Sequence, residues 1–284
     1  MPTLRAVLDA VVEQAGSYAL EAPPEWSQGR TLYGGMTTAL CFHAAQQAKP
    51  DLPPLRSAQV AFVGPASGHL RFTPSVLRQG KSSVILGVDC FSAMDGRADA
   101  GMAARAIFTY GAGRDSSIAH DFSARANSPA ALSADLPADL LGPDACPAFA
   151  GPGAFTPTFF QNFDVRLAAG RVPVSGGGAP DFTVWVRHLD ATGVDPVVAL
   201  LALADAPPPA AMVQFKAFAP ISTMTWGIDL FHPIAANDRA AGGWHLLRSH
   251  SEQAAHGYSL QAMEVWNAAG ARVAAARQMV ALFA

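Results

Sequence analysis

Met36-Thr-Thr-Ala-Leu-Cys-Phe-His-Ala-Ala-Gln-Gln-Ala48 decides the fold. It follows Tyr33-Gly34-Gly35, is stopped by Pro50, and holds no acid and no base other than His43. A helix that is apolar all round has no face for water, so it is expected to be buried, wrapped by a sheet. Four strand-like runs follow, at residues 56–63, 69–77, 82–91 and 101–110, with Gly80-Lys81 and Asp95-Gly96 as hairpin turns. Upstream, residues 26–32 suit a short strand. Residues 1–14 carry both charge signs on an apolar background and read as an amphipathic helix, not a signal peptide.

The second half repeats this plan. Residues 159–168 and 182–189 read as strands, with Ser175-Gly-Gly-Gly-Ala-Pro180 between them. Asp195 then suits a helix N-cap and Pro196 the first helical position. The helix Val197-Val-Ala-Leu-Leu-Ala-Leu-Ala-Asp205 is again apolar and is stopped by Pro207-Pro-Pro. Strands are expected at 222–231, 244–253, 258–266 and 272–283. Phe62-Val-Gly-Pro65 sets against Leu230-Phe-His-Pro233, Val88-Asp-Cys against Met263-Glu-Val, and Arg105-Ala-Ile-Phe108 against Val280-Ala-Leu-Phe283. Between the halves the chain turns rich in Ala, Pro, Ser, Asp and Gly, as a loosely packed surface connection would.

This is the plan of an α+β tandem (double) hotdog: two antiparallel sheets, each wrapped around a central helix. The expected division is an N-terminal hotdog at 1–112, a linker at 113–157 and a C-terminal hotdog at 158–284. Pairing the two sheets into a larger one would remove edges prone to aggregation.

Half of the 284 residues are hydrophobic and 14% are charged, ample for a core. A net charge of -3 and a pI near 6.2 argue against a nucleic-acid partner. Only Lys49, Lys81 and Lys216 are lysines, so an anion site would lean on arginine. Cys41, Cys90 and Cys146 are odd in number and far apart, which fits a reducing, cytoplasmic setting. No uninterrupted apolar run has the length of a membrane span. His245, His250 and His256 have poor metal spacing, and GxSxG, Walker, GxGxxG and HExxH patterns are missing. No cofactor and no metal are expected.

Three polar residues set the halves apart. In the last strand, alternation puts Arg272, Ala274, Ala276, Gln278, Val280 and Leu282 on one face. Gln278 thus sits among small and apolar neighbours, where a carboxamide needs a partner. With the closing strands aligned on Phe108 and Phe283, its counterpart is Ala103. Thr223 falls opposite Leu55, and Asp205 has no acidic equivalent in the first helix. Singly, each has a plain structural account: a backbone-tied amide, a sheet threonine, a solvated loop acid. All three lie in one half, and they gain meaning as a set.

On these residues the chain resembles the bacterial acyl-CoA thioesterase II (TesB-like) family of double-hotdog proteins over nearly its whole length. The family's catalytic pattern is an Asp on the second hotdog helix, a Thr early in the next strand and a Gln in the last strand. Leu203-Ala-Asp205, Ser222-Thr223-Met-Thr225 with Pro233 ten residues on, and Ala276-Arg-Gln278 match it. Tyr33-Gly34-Gly35 resembles the Phe/Tyr-Gly-Gly that begins the family's first helix. Ile228-Asp-Leu-Phe-His-Pro departs from the family's aromatic and His ahead of Arg-Pro. A slip of one or two residues would hand the threonine's role to Ser222 or Thr225.

The resemblance implies an enzyme of fatty acid metabolism that hydrolyses acyl-CoA to free acid and CoA, working as a homo-oligomer, dimer or tetramer. Asp205, Thr223 and Gln278 would hold and activate a water. Gly34 and Gly35, at a helix N-terminus, would bind the oxyanion and place the site between the two hotdogs. Phe42, Phe62, Phe160 and Trp185 are candidates for setting acyl-pocket depth. Two alternatives stand beside the hydrolase. A non-catalytic acyl-CoA sensor would lose one of the three polar residues. An enoyl-CoA hydratase would show a His five residues after an Asp on the helix, where Asp195 is followed at that spacing by Leu200.

Overall fold

The computed structural model describes residues 1–93, 101–120, 140–150, 156–231, 234 and 243–284. The Asp95-Gly96 turn and Pro233 lie outside the described residues.

The amphipathic start forms α1 (Leu4–Asp9), capped by the Thr3 hydroxyl, and it is shorter than expected. β1 (Val12–Gln14) and β2 (Ser17–Glu21) follow as a hairpin. Ala15 and Gly16 between them both take positive φ, the two-residue turn that matches strand twist. That turn, after β-branched Val11-Val12, overrides the helical pattern. β3 (Ser27–Gln28) and β4 (Thr31–Leu32) make a separate small ladder.

α2 (Gly34–Ala48) is buried along most of its length, as its apolar circumference requires. β5 (Leu55–Phe62), β6 (His69–Gln79), β7 (Ser83–Ala93) and β8 (Gly101–Gly111) complete the first half. The second half holds β9 (Phe163–Gly170), β10 (Asp181–His188), α3 (Pro196–Ala204), β11 (Ile221–Leu230), β12 (His245–Ala255), β13 (Tyr258–Asn267) and β14 (Arg272–Leu282). Asp195 caps α3 by accepting from the Val197 and Val198 amides, with Pro196 first in the helix.

The expected two sheets are one. Twelve strands among the described residues join in the order β1-β2-β6-β7-β8-β5-β11-β14-β13-β12-β10-β9. The halves meet where β5 pairs antiparallel with β11, Trp226 opposite Val60. Each of these strands would otherwise be an open edge, and their pairing closes both. One hydrophobic core, drawn from both helices and both halves of the sheet, runs through the molecule.

The two halves share three of their irregularities. The β5–β8 ladder shifts register between Leu55 and Ser57, and β11–β14 shifts between Thr223 and Thr225. A second matched pair lies at Val76/Arg78 and Ser251/Gln253, and a third at Cys90/Phe91 and Val265/Trp266. These bulges keep the pairing of Leu55 with Thr223 but correct the partner of Gln278. Ala58 pairs with Phe108 as Trp226 pairs with Gln278. The first-half counterpart of Gln278 is therefore Phe108, not Ala103. Phe283, used for the earlier alignment, lies beyond β14 and is largely exposed.

Of the described parts of the connection, residues 113–120 are exposed throughout, whereas residues 140–150 send two side chains inward. Phe149 is buried in the main core, and its amide donates to the Val165 carbonyl at 2.9 Å. Cys146 joins Trp185, Trp244, Leu246 and Trp266 in a separate cluster, where the Trp185 indole donates to the Leu141 carbonyl at 2.9 Å. No helix among the described residues is long and apolar enough to cross a membrane.

Candidate active site

The start of α2 lies against the end of α3. A Cβ on Gly35 would stand 2.7 Å from the Ala202 carbonyl oxygen and 3.0 Å from Asp205 Cβ. One on Gly34 would stand 2.7 Å from Asp205 Oδ2 and 2.9 Å from Cζ of Phe62. Only glycine allows this approach of a first-half helix to a second-half carboxylate. Tyr33, immediately ahead, is buried, stacks on Phe159 at 4.1 Å and donates its hydroxyl to the Ala202 carbonyl at 2.9 Å.

Asp205 is the C-cap of α3. The residue retains a little exposed surface, but its carboxyl is enclosed, and the enclosure governs its chemistry. Loss of hydration pushes its pKa up to about 7. Two donors pull the other way: the Gln278 carboxamide and the Gly35 backbone N–H. A carboxylate at a helix C-terminus also meets the negative end of the dipole. Tyr33's phenol is held well above its usual range, first by burial and then by the nearby Asp205 charge.

Gln278 is almost fully buried on the inner face of β14. Its Nε2 donates to Asp205 Oδ1, and its Oε1 accepts from Gln261 Nε2 at 3.2 Å. Gln261, opposite it on β13 and fully buried, accepts at Oε1 from the Ala210 amide at 2.6 Å. Sequence reading passed over Gln261, although alternation with Met263 and Val265 puts it on the buried face.

Thr223 pairs with Val280, and Trp226 pairs with Gln278. Cross-strand partners share a face, so Thr223 lies on the same inner face as Gln278, one rung along. Its hydroxyl is outside the Ala210–Gln261–Gln278–Asp205 chain. Ser222 pairs with Ala281 and Thr225 with Met279, which puts both on the other face, and both are exposed.

Of the expected sites, Asp205, Gln278, Gly34 and Gly35 are brought together, with Thr223 on the neighbouring rung. Of the four aromatic pocket candidates, Phe62 abuts the group at Gly34. Phe42 packs on Phe108 at 5.4 Å in the first half, Phe160 lies beside Phe149 at 6.3 Å, and Trp185 belongs to the separate cluster.

A sheet of two like halves carrying two buried helices, with a carboxyl–carboxamide group where those helices meet, is a hotdog-fold arrangement. The profiles of the acyl-CoA thioesterase N-terminal and C-terminal domains match residues 22–111 and 143–282. The chain belongs to the acyl-CoA thioesterase family and is a thioesterase of that family. A hotdog protein of unknown function from Alicyclobacillus acidocaldarius superposes with a TM-score of 0.77 at 21% identity, covering 98% of this chain and 97% of that one. The tesB protein of Mycobacterium avium subs paratuberculosis gives 0.71 at 14% identity, covering 98% and 97%. Acyl-CoA thioesterase II TesB2 of Mycobacterium marinum gives 0.69 at 18%, covering 97% and 96%. No curated protein matches the chain in sequence.

Proposed function

We propose that the chain hydrolyses acyl-CoA thioesters with a water activated by Asp205. The observation that carries this is an enclosed carboxyl with a pKa raised to about 7, held by donors from β14 and from the start of α2. A general base works best when its pKa lies near the working pH, and a solvated aspartate would be far too weak.

In this reading, the Gln278 and Gly35 donors fix Asp205 in one orientation. The carboxylate accepts a proton from water as the oxygen attacks the thioester carbon. The Thr223 hydroxyl, on the adjoining rung, orients that water. The oxyanion that forms is met by an amide at the start of α2, where the first N–H groups lack helical partners. Gly35's amide serves Asp205, so Gly34's is the one offered to the carbonyl oxygen. Collapse of the tetrahedral species breaks the C–S bond and releases CoA thiolate and the acid. Phe62, against Gly34, gives the acyl chain an apolar wall next to the reacting carbon.

Thiol release from acyl-CoAs of two to sixteen carbons, with wild type and Asp205→Ala, tests this. Turnover by wild type that collapses in the variant is the expected result. Failure of wild type on every chain length moves the protein to the sensor reading.

A further inference from the structure

We propose that Gln261 is a positioning residue that fixes the polarity of the Gln278 carboxamide, so that its NH2 end, not its oxygen, meets Asp205. The inference rests on the reading of Asp205 as the base. A carboxamide is nearly symmetric in shape, and nothing in its packing tells its oxygen from its nitrogen. Its direction has to come from its partners.

Here the direction comes from the backbone. The Ala210 N–H can only donate, so the Gln261 atom 2.6 Å away must be oxygen. Gln261 then presents its nitrogen to Gln278, 3.2 Å off, and Gln278 must answer with oxygen. That leaves Gln278 Nε2 for Asp205. The two links through Gln261 are buried, so a reversed Gln278 amide would set donor against donor there with no water to relieve it. The anchoring turn, Ala210–Gln214, is itself buried over residues 210–213.

The consequence is electrostatic. With its NH2 end forward, Gln278 favours the ionised form of Asp205 and opposes the effect of burial. With its oxygen forward it would favour the protonated acid and disable the base at neutral pH. The other groups facing the carboxyl are neutral: the Gly35 amide at the start of α2 and the Tyr33 phenol at its N-cap.

Gln261→Met keeps the length, and Gln261→Leu copies Leu86, the first-half residue at this rung. The expected result for both is an acid limb of kcat/KM displaced upward by about one pH unit, since a hydrogen bond to a charged group is lost. The rate should fall about tenfold on that limb and recover to within about threefold near pH 9. A merely structural role would lower the rate equally at every pH, and that outcome overturns the proposal. If neither variant folds, the wild type carries the test by NMR. The Gln278 side-chain NH2 resonances must titrate with the Asp205 carboxyl, and their indifference to pH overturns the proposal. Asp205→Ala run in parallel separates the two readings. Full activity there removes the base itself, while the wild-type titration still reports which way the amide faces.

Discussion

Leu55, Val84, Leu86 and Phe108 line the inner face of the first half; at the matching rungs of the second stand Thr223, Ser259, Gln261 and Gln278. Four apolar positions face four polar ones across the same backbone, bulges included. In the first half Phe108 packs edge-on against Phe42 of α2, and the space is filled. In the second half the aromatic is absent, and an amide pair reaches toward the helix. The helices differ to match, with 15 residues in α2 against 9 in α3. The chain after the shorter helix forms the turn whose Ala210 amide anchors Gln261. One copy keeps the apolar solution. The other spends stability on buried polar groups, each of which needs a partner.

The sharpest way to break this comparison is at the helices. Counted from the N-caps Tyr33 and Asp195, His43 occupies on α2 the place Asp205 has on α3. Asp205→Ala is expected to lower kcat/KM by about 10³-fold, within the usual range for loss of a general base. His43→Ala should leave turnover within about twofold, as a position outside the site does. Thiol release measured on both variants decides it, and equal losses would mean that the two halves share the chemistry.

The next largest effect is on stability. Folded Asp205 keeps its proton up to about pH 7, whereas its unfolded value is 3.8. Between those values the unfolded chain has given up a proton that the folded one retains, so stability falls as pH rises through this window. The loss is on the order of a few kcal/mol and persists above pH 7. Asp205→Asn should flatten that slope and be the more stable protein at pH 8. His43 is displaced downward, by burial first and by Arg5 second. A folded pKa below the unfolded one has the opposite sign: between the two values the unfolded chain holds a proton that folded His43 has given up, so this contribution rises with pH. The His43→Ala curve should therefore lose a smaller, upward slope below pH 6.5, opposite in direction to the one Asp205→Asn removes. Denaturant melts from pH 4 to 8 separate the two.

How much of this was legible follows from what each level of structure needs. The two apolar helices were readable because a helix without a polar face can only be buried. Their position and α3's Asp195-Pro196 start followed from capping chemistry. Asp205 stood out as the one acid closing an apolar helix. The union of two sheets into one was legible from the need to cover sheet edges, but the strands that form the seam were not, because β5 and β11 show the same alternation whether paired or exposed. The counterpart of Gln278 was misplaced because Phe108 lies inside β8 while Phe283 lies just beyond β14, so aligning the two slides one closing strand along the other, and the sequence does not mark where each strand ends. Gln261 was readable by alternation but had no visible partner, since the Ala210 amide that gives it a role lies fifty-one positions away.

Glycine and proline supply a third contrast. The first residues of α2 are Gly34 and Gly35, while α3 starts with Pro196. Gly34→Ala puts a methyl 2.7 Å from Asp205 Oδ2 and is expected to lower kcat/KM by about 10²-fold, since small displacements of a reacting group are costly. Pro196→Ala should leave the rate unchanged and cost less than about 1 kcal/mol, through chain entropy alone. Kinetics together with melting of both proteins tests the pair.

The smallest effect discriminates among three hydroxyls that sequence spacing left equivalent. The register shift between Thr223 and Thr225 returns Trp226 to the inner face beside Thr223, while Ser222 and Thr225 point away. Of the three, Thr223 alone lies on the face that carries Gln278. In the proposed mechanism that hydroxyl supplies orientation and not a proton acceptor, so its loss would remove about one hydrogen bond's worth of positioning. Thr223→Val, close in shape, should lower kcat by about tenfold with KM nearly unchanged. Ser222→Ala and Thr225→Val should match wild type. Leu55, the first-half counterpart, has no hydroxyl to lose, so Leu55→Thr is the reciprocal change, and it should affect stability alone. A kcat loss confined to Thr225→Val would place the working hydroxyl on the outer face, where neither Asp205 nor Gln278 stands, and the polar strip of the second half would lose its link to the reaction.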